Sequence, residues 1–313
     1  MAGNGDGAAP ATPARLGGRG WWGTLRRTVK EFRANGLTDW AAALTYYAVL
    51  ALFPALIFLV SILGLVGKSA TQPLINNLTA VAPSSAQQIV HGALKNVQNG
   101  RGAAGVAFVI GLVLALWSAS GYIGAFIRAS NAIYQTPEGR PFWKLRPMQM
   151  GITFILVMLL VISALAVVIS GPILTSVGNV LGLGDTGRTI FAIAKWPLLA
   201  VVVSLMFSIL YYAAPNVKQP GFKWITPGGL LALVVLVAAS IAFALYTKHF
   251  PNNKTYGTFG GVIFFLTWLW LANIAVLLGQ ELNAELERGR ELAAGLPAEE
   301  EIQLPPRATP KEA

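Results

Sequence analysis

Charged side chains are distributed unevenly along the chain, and six long stretches carry none. These stretches cover residues 40–67, 102–127, 147–184, 196–217, 224–247 and 255–280. A helix needs about 20 apolar residues to cross the hydrocarbon core of a membrane, so each stretch is long enough for one span. The pattern predicts an all-α, polytopic membrane protein built as a bundle of six transmembrane helices. We expect the spans at about 44–66, 103–127, 149–170, 190–213, 227–247 and 258–280.

Amphipathic patterns outside the spans predict further helices. Residues 21–36 place Leu25, Val29 and Phe32 on one helical face and basic side chains on the other. This is typical of an interfacial helix on the inner leaflet, where anionic lipid head groups would be its partners. The loop 68–102 carries two shorter stripes, which predict two short helices on the outer surface.

The composition of the two ends differs from that of the membrane domain. Residues 1–20 are rich in Gly, Ala, Pro and Arg. Neither these residues nor residues 289–313 contain a long apolar run. Both segments are predicted to be disordered tails. The region between the interfacial helix and the second tail, residues 38–288, is therefore predicted to be the six-span membrane domain.

The distribution of basic residues predicts how the protein is oriented in the membrane. Charged residues make up 12% of the 313 residues and the net charge is +10, whereas a soluble protein carries about 25% charged residues. With six spans, 16 of the Lys and Arg residues fall on the side of the two termini and seven on the other side. The crowded side is expected to be cytoplasmic. Topology accounts for much of the basic excess, so we expect no nucleic-acid partner.

Few polar side chains lie inside the predicted spans. The interior polar candidates are Thr45, Tyr46, Tyr47, Thr267 and Asn273. Pro54 lies in the middle of the first span and cannot donate a hydrogen bond to the carbonyl of Leu50, so a kink is expected there.

The last predicted span ends at a cluster of charge. Glu281, Glu285 and Arg288 share one helical face because of their i, i+4, i+7 spacing. One hypothesis is that Glu281 turns into the bundle and pairs with Arg128, with Asp39 and Asn283 nearby, to form a polar latch. The alternative is a helix that simply leaves the membrane, with Glu281 in solvent.

Catalytic signatures are weak in this sequence. Cysteine is absent, and the two histidines, His91 and His249, fall in different predicted outer loops. A metal-dependent nuclease needs clustered ligands, and an ATP-driven pump needs a phosphate-binding glycine loop. We therefore expect no enzyme activity, no cofactor and no metal site.

Four stretches in order resemble one family of bacterial membrane proteins. They are "DWAAALTYYAVLALFPALIFLVSILG", "WSASGYIGAFIRASNAIYQTPEGRPFWKLR", "YYAAPNVKQPGFKWITPGG" and "YGTFGGVIFFLTWLWLANIAVLLGQELNAELER". Together they are similar to the YihY, or virulence factor BrkB, family. The resemblance implies an inner-membrane protein with about six spans. The family was once labelled a ribonuclease, and one branch is tied to serum resistance.

Two classes of function are consistent with these features. The first is a transporter or lipid-handling protein of the cell envelope, because a large lipid substrate can use an apolar groove without buried charges. The second is a non-transporting membrane scaffold, with a homo-oligomer or an envelope protein as its partner. The sequence leaves this choice open.

Overall fold

The computed structural model of the protein describes residues 17–66, 104–168, 184–249 and 257–310. Seven α-helices lie in these ranges and account for most of them. They are α1 (Gly17–Ala34), α2 (Leu37–Val66), α3 (Ala104–Ile133), α4 (Phe142–Val168), α5 (Asp185–Ala213), α6 (Pro227–His249) and α7 (Gly257–Ala293). Within the same ranges, the one β-type pairing is an isolated antiparallel bridge between Val217 and Pro306.

Long apolar helices confirm an α-helical membrane protein. Four segments in the described part of the chain are long and apolar enough to cross a membrane: Phe142–Ser163, Thr189–Ala213, Pro227–Lys248 and Gly260–Ala293. The most apolar windows of the second and third are each only 17% buried within the protein. Large apolar side chains exposed in this way need a non-aqueous neighbour, which a lipid bilayer provides.

Each predicted span coincides with a helix, but the number of spans stays a prediction. Helices α2 and α3 are each 30 residues long, enough for about 45 Å of helix. Helix α2 continues through Pro54. The side chain of Pro54 lies outside the described residues, and the kink there stays a prediction. Of the tail predicted at 1–20, residues 1–16 lie outside them, as do the loop helices predicted at 68–102, whereas residues 17–20 form the first turn of α1.

The chain divides into two compact units. The first comprises residues 1–46, 124–145 and 203–313, and the second comprises residues 47–123 and 146–202. Tyr211 lies in the core of the first unit, where its ring stacks at 6.4 Å from Phe126 and 6.0 Å from Phe207. Its hydroxyl donates a 2.7 Å hydrogen bond to the carbonyl of Val276. This bond ties the end of α5 to α7.

Two glycines allow α6 and α7 to approach closely. A Cβ on Gly228 would collide with the carbonyl oxygen of Gly279 and lie 2.6 Å from Cγ of Asn283. A Cβ on Gly279 would lie 2.5 Å from the Tyr211 hydroxyl and 2.8 Å from Cβ of Ala232. The backbones are therefore in contact at this point, and glycine is required on both helices.

The C-terminal segment differs from the disordered tail predicted from residue 289. Helix α7 continues to Ala293, and residues 303–310 then lie along the loop 214–220. The amide of Lys218 donates to the carbonyl of Pro305, and the amide of Arg307 donates to the carbonyl of Asn216, at 2.9 and 3.0 Å. We call residues 303–310 the C-terminal strap. Backbone pairing and arginine contacts hold the strap in place, and a search for apolar runs does not detect such contacts.

Candidate functional site

The charged face predicted on α7 is buried inside the protein. Glu281, Glu285 and Arg288 are 1%, 0% and 5% exposed. Helix α1 covers this part of α7, and its Thr24 and Thr28 are also buried. Because Glu281 is enclosed by protein, the alternative of a solvated helix exit is wrong.

Glu285 is the centre of this cluster, since it meets two cations from different helices. Its Oε2 accepts a 2.9 Å hydrogen bond from Nε of Arg27 on α1. Its Oε1 lies 3.1 Å from Nε of Arg288. That N–H does not point at the oxygen, so the second contact is an ion pair without a hydrogen bond. A buried carboxylate is tolerated because it is paired on both sides.

Glu281 lies beside the same cluster but has a weaker partner. Its Oε2 accepts a 3.4 Å hydrogen bond from the amide of Asn35, in the turn between α1 and α2. Arg128 and Asp39 both have exposed side chains. The proposed pairing of Glu281 with Arg128 stays a prediction.

Asn283 makes its hydrogen bonds with residues at the start of α6. Its Oδ1 accepts a 2.9 Å hydrogen bond from the backbone amide of Gly228, and its Nδ2 donates to Thr226 Oγ1 at 3.2 Å. Asn283 therefore satisfies an amide in the first turn of α6, a group that has no partner within its own helix.

Gln280 is fully buried, and neither polar atom of its side chain makes a hydrogen bond within the described residues. An unsatisfied buried amide costs about 1–3 kcal/mol. Gln280 precedes Glu281, so the polar cluster includes one group whose bonding capacity is unused.

Two of the interior polar candidates meet in the apolar part of the first unit. Asn273 donates a 3.1 Å hydrogen bond to Oγ1 of Thr45, which itself donates to the carbonyl of Ala41 at 2.8 Å. Both side chains are buried. Thr267 donates to the carbonyl of Ile263 on its own helix.

The two tyrosines have different surroundings. Tyr46 is largely exposed, whereas Tyr47 lies against Gly121, where a Cβ would be 3.3 Å from the ring.

A second polar cluster holds the loops 134–141 and 214–220 together, and no pattern in the sequence predicted it. Arg140 donates to the carbonyl of Ala214 at 2.8 Å, and Arg307 donates to the carbonyl of Tyr212 at 2.7 Å. The two guanidinium groups therefore cap the C-terminal end of α5, where carbonyls lack helical partners and cations are favoured.

Glu138 orients Arg140 in this second cluster. The two side chains form a 2.7 Å ion pair, and Asn131 donates to the same carboxylate at 2.9 Å. Burial alone would raise the pKa of Glu138, but the hydrogen bonds from Arg140 and Asn131 outweigh it and hold the pKa below its usual value. Glu138 is therefore charged at neutral pH and keeps Arg140 aimed at α5.

Sequence reasoning found the charged face of α7 but missed its partners on the N-terminal segment. Arg27 and Asn35 lie on the face of α1 and its following turn that also carries Thr24, Thr28 and Glu31. This polar stripe, at spacings of three and four residues, was a detectable signal for a face that packs on another polar helix.

These features define an integral membrane protein of α-helices, with a charged cluster buried where α7 meets α1. The sequence profile of the virulence factor BrkB family matches residues 28–302. The chain belongs to this family, which confirms the resemblance found in the sequence.

Individual relatives cover different shares of the chain. The ribonuclease-like protein YfkH of Bacillus subtilis is 30% identical over 253 residues, which cover 80% of this chain and 90% of YfkH. A UPF0761 membrane protein of Azotobacter vinelandii is 33% identical over 158 residues, 47% of this chain and 37% of that protein. The UPF0761 membrane protein RC1_0578 of Rhodospirillum centenum is 26% identical over 275 residues, 86% of this chain and 58% of its own length. No solved structure matches the chain.

Proposed function

We propose that this protein moves or handles lipids in the bacterial cell envelope. The observation that carries the proposal is the polar but uncharged pair formed by Thr45 and Asn273. Asn273 lies about 20 Å along α7 from Gly260, inside the stretch long enough to cross the hydrocarbon core. The charged residues of α7 begin only at Glu281.

Lipid chemistry accounts for this distribution better than ion-coupled transport does. Carriers driven by ions usually keep an ionisable group within the membrane, and the apolar part of α7 has none. A lipid needs an apolar path for its chains and a few polar atoms for its head group. A non-transporting scaffold for other envelope proteins is the alternative, and it would need no polar pair at this depth.

A liposome assay tests this function. Purified protein is reconstituted with fluorescent phospholipids and with small solutes, and movement across the bilayer is measured. Asn273→Leu removes the hydrogen bond to Thr45 and should slow lipid movement at least about fivefold, as expected for a lost polar interaction of about 1 kcal/mol or more. Thr267→Val, which alters a hydroxyl bonded only within its own helix turn, is the matched control. Equal rates with and without wild-type protein, for every lipid and solute, would favour the scaffold.

We also propose a six-span topology in the inner membrane, with both termini in the cytoplasm. The support is the ratio of 16 to seven basic residues between the two sides. Reporter fusions at Gly100 and Arg140 should report opposite sides of the membrane. A common side for both would overturn this topology.

The ribonuclease-like name belongs to YfkH, and we do not extend that activity to this chain. No group of three residues of the kinds that bind metal ions lies together in the described part of the chain. An assay of the purified protein on RNA, with added Mg²⁺ or Mn²⁺, checks this directly.

A further inference from the structure

Helix α1 packs on α7 with its polar face inward and its apolar face outward. Thr24 and Thr28 are buried, while Trp22 is 73% and Val29 53% exposed, with Leu25 also exposed. A helix on the surface of a soluble domain shows the opposite arrangement, with its apolar stripe facing the core. The outward apolar stripe therefore requires an apolar neighbour that is separate from α7.

Basic side chains border this apolar stripe on one side. Arg26, Lys30 and Arg33 are exposed, and at about 100° per residue they occupy the sector adjoining Trp22 and Val29. Arg27 takes no part in this sector because it is paired with Glu285. Glu31 lies 3.9 Å from Lys30 but is mostly buried. The exposed face of α1 is therefore apolar on one half and positively charged on the other.

The position of α1 along the chain places this face at a membrane surface. A turn at Asn35 and Gly36 is all that separates it from α2, and Gly36 adopts a φ of 59° there. The first residue of α2 is Leu37, which is fully buried. The indole NH of Trp270, on the membrane helix α7, donates to the carbonyl of Thr38 at 3.2 Å. The turn keeps α1 beside the start of α2, and the ion pair of Arg27 with Glu285 holds it against α7 where that helix becomes charged.

We propose that the exposed face of α1 is a binding surface for the head groups of anionic membrane lipids. Trp22, Leu25 and Val29 enter the boundary between head groups and acyl chains. Arg26, Lys30 and Arg33 hold the lipid phosphates, while the Arg27–Glu285 pair fixes the rotation of the helix about its axis. An apolar stripe beside a basic stripe is the pattern of interfacial helices, and each basic residue near the surface contributes roughly a fivefold preference for anionic lipid. This inference does not depend on lipid transport.

The absence of cysteine from the sequence allows a direct test of depth. The full chain carrying Val29→Cys is spin-labelled and placed in nanodiscs of phosphatidylcholine and phosphatidylglycerol. The label at Val29 should be more accessible to oxygen dissolved in the lipid than to a water-soluble nickel chelate. Lys218→Cys, in an exposed loop, is the control and should show the reverse. A Val29 label that behaves like the Lys218 label would overturn the proposal.

A second experiment tests the preference for anionic lipid. The variant Arg26→Gln, Lys30→Gln, Arg33→Gln should lose at least about tenfold in its selectivity for spin-labelled phosphatidylglycerol over phosphatidylcholine. The control variant removes three other exposed cations: Lys144→Gln, Lys218→Gln and Lys223→Gln. Equal losses in the two variants, or no loss in either, would contradict the proposal. If the Val29 label is protected from the nickel chelate only in unpurified native membranes, a protein partner covers this face instead of lipid.

Discussion

Glu285→Ala is expected to reduce the free energy of unfolding by about 3–5 kcal/mol, because it leaves a buried charge without its partner. Most of the loss should come from Arg288, which is 5% exposed and cannot reach solvent. Arg27 is half-exposed and can turn outward. The measurement is unfolding of the purified protein in mild detergent, followed by the helical circular dichroism signal. Glu300→Ala removes an exposed acid and is the control.

A compensating variant distinguishes lost pairing from lost packing. Glu285→Leu together with Arg288→Met replaces the ion pair by apolar side chains of similar size. Such replacements are often neutral or stabilising in protein interiors, so the double variant should recover most of the stability lost in Glu285→Ala. If the double variant is as unstable as the single one, the cluster does not act through paired charges.

Gly279→Ala is expected to have an effect of similar size, about 3 kcal/mol or more, because overpacking costs rise when the obstacle is backbone. The added methyl group would meet the Tyr211 hydroxyl and the backbone of Gly228, so α6 and α7 must move apart. This movement should also break the hydrogen bond from Tyr211 to the carbonyl of Val276. Unfolding under the same conditions gives the magnitude.

Gly261→Ala provides the matched control on the same helix. A Cβ at Gly261 meets nothing within 4 Å, and alanine favours a helix over glycine by up to about 1 kcal/mol. This variant should be neutral or slightly more stable than the parent. Comparable destabilisation by Gly261→Ala and Gly279→Ala would show that helix propensity, rather than the close approach of α6 and α7, sets the result.

The membrane helices were predictable because one local property, the absence of charge over about 20 residues, is enough to define them. The polar cluster was predictable only in part. The spacing of Glu281, Glu285 and Arg288 gave their shared face, but the partner of Glu285 is Arg27, 258 residues away. Which cation reaches a carboxylate depends on how helices pack, and a single sequence does not contain that information in readable form.

The close contacts made by glycines also depend on helix packing and could not be located from the sequence. Gly257 and Gly261 have the spacing that permits close helix packing, yet Gly261 faces open space and the close contact lies at Gly228 and Gly279. Spacing on one helix shows where a close approach is permitted, but the facing helix decides where it occurs. The C-terminal strap was missed because its contacts are made by backbone groups and by Arg307, with little apolar area.

The C-terminal strap also sets the order in which the protein can be completed during synthesis. Residues 303–310 leave the ribosome after every residue that they contact, including Asn216 and Val217. Roughly 80 residues separate the two segments, which is about 4–16 s of translation at 5–20 residues per second. Throughout that interval the carbonyl of Tyr212 lacks its guanidinium partner. A nascent chain that stops short of Arg307 would therefore carry its membrane helices with this loop cluster still unfastened.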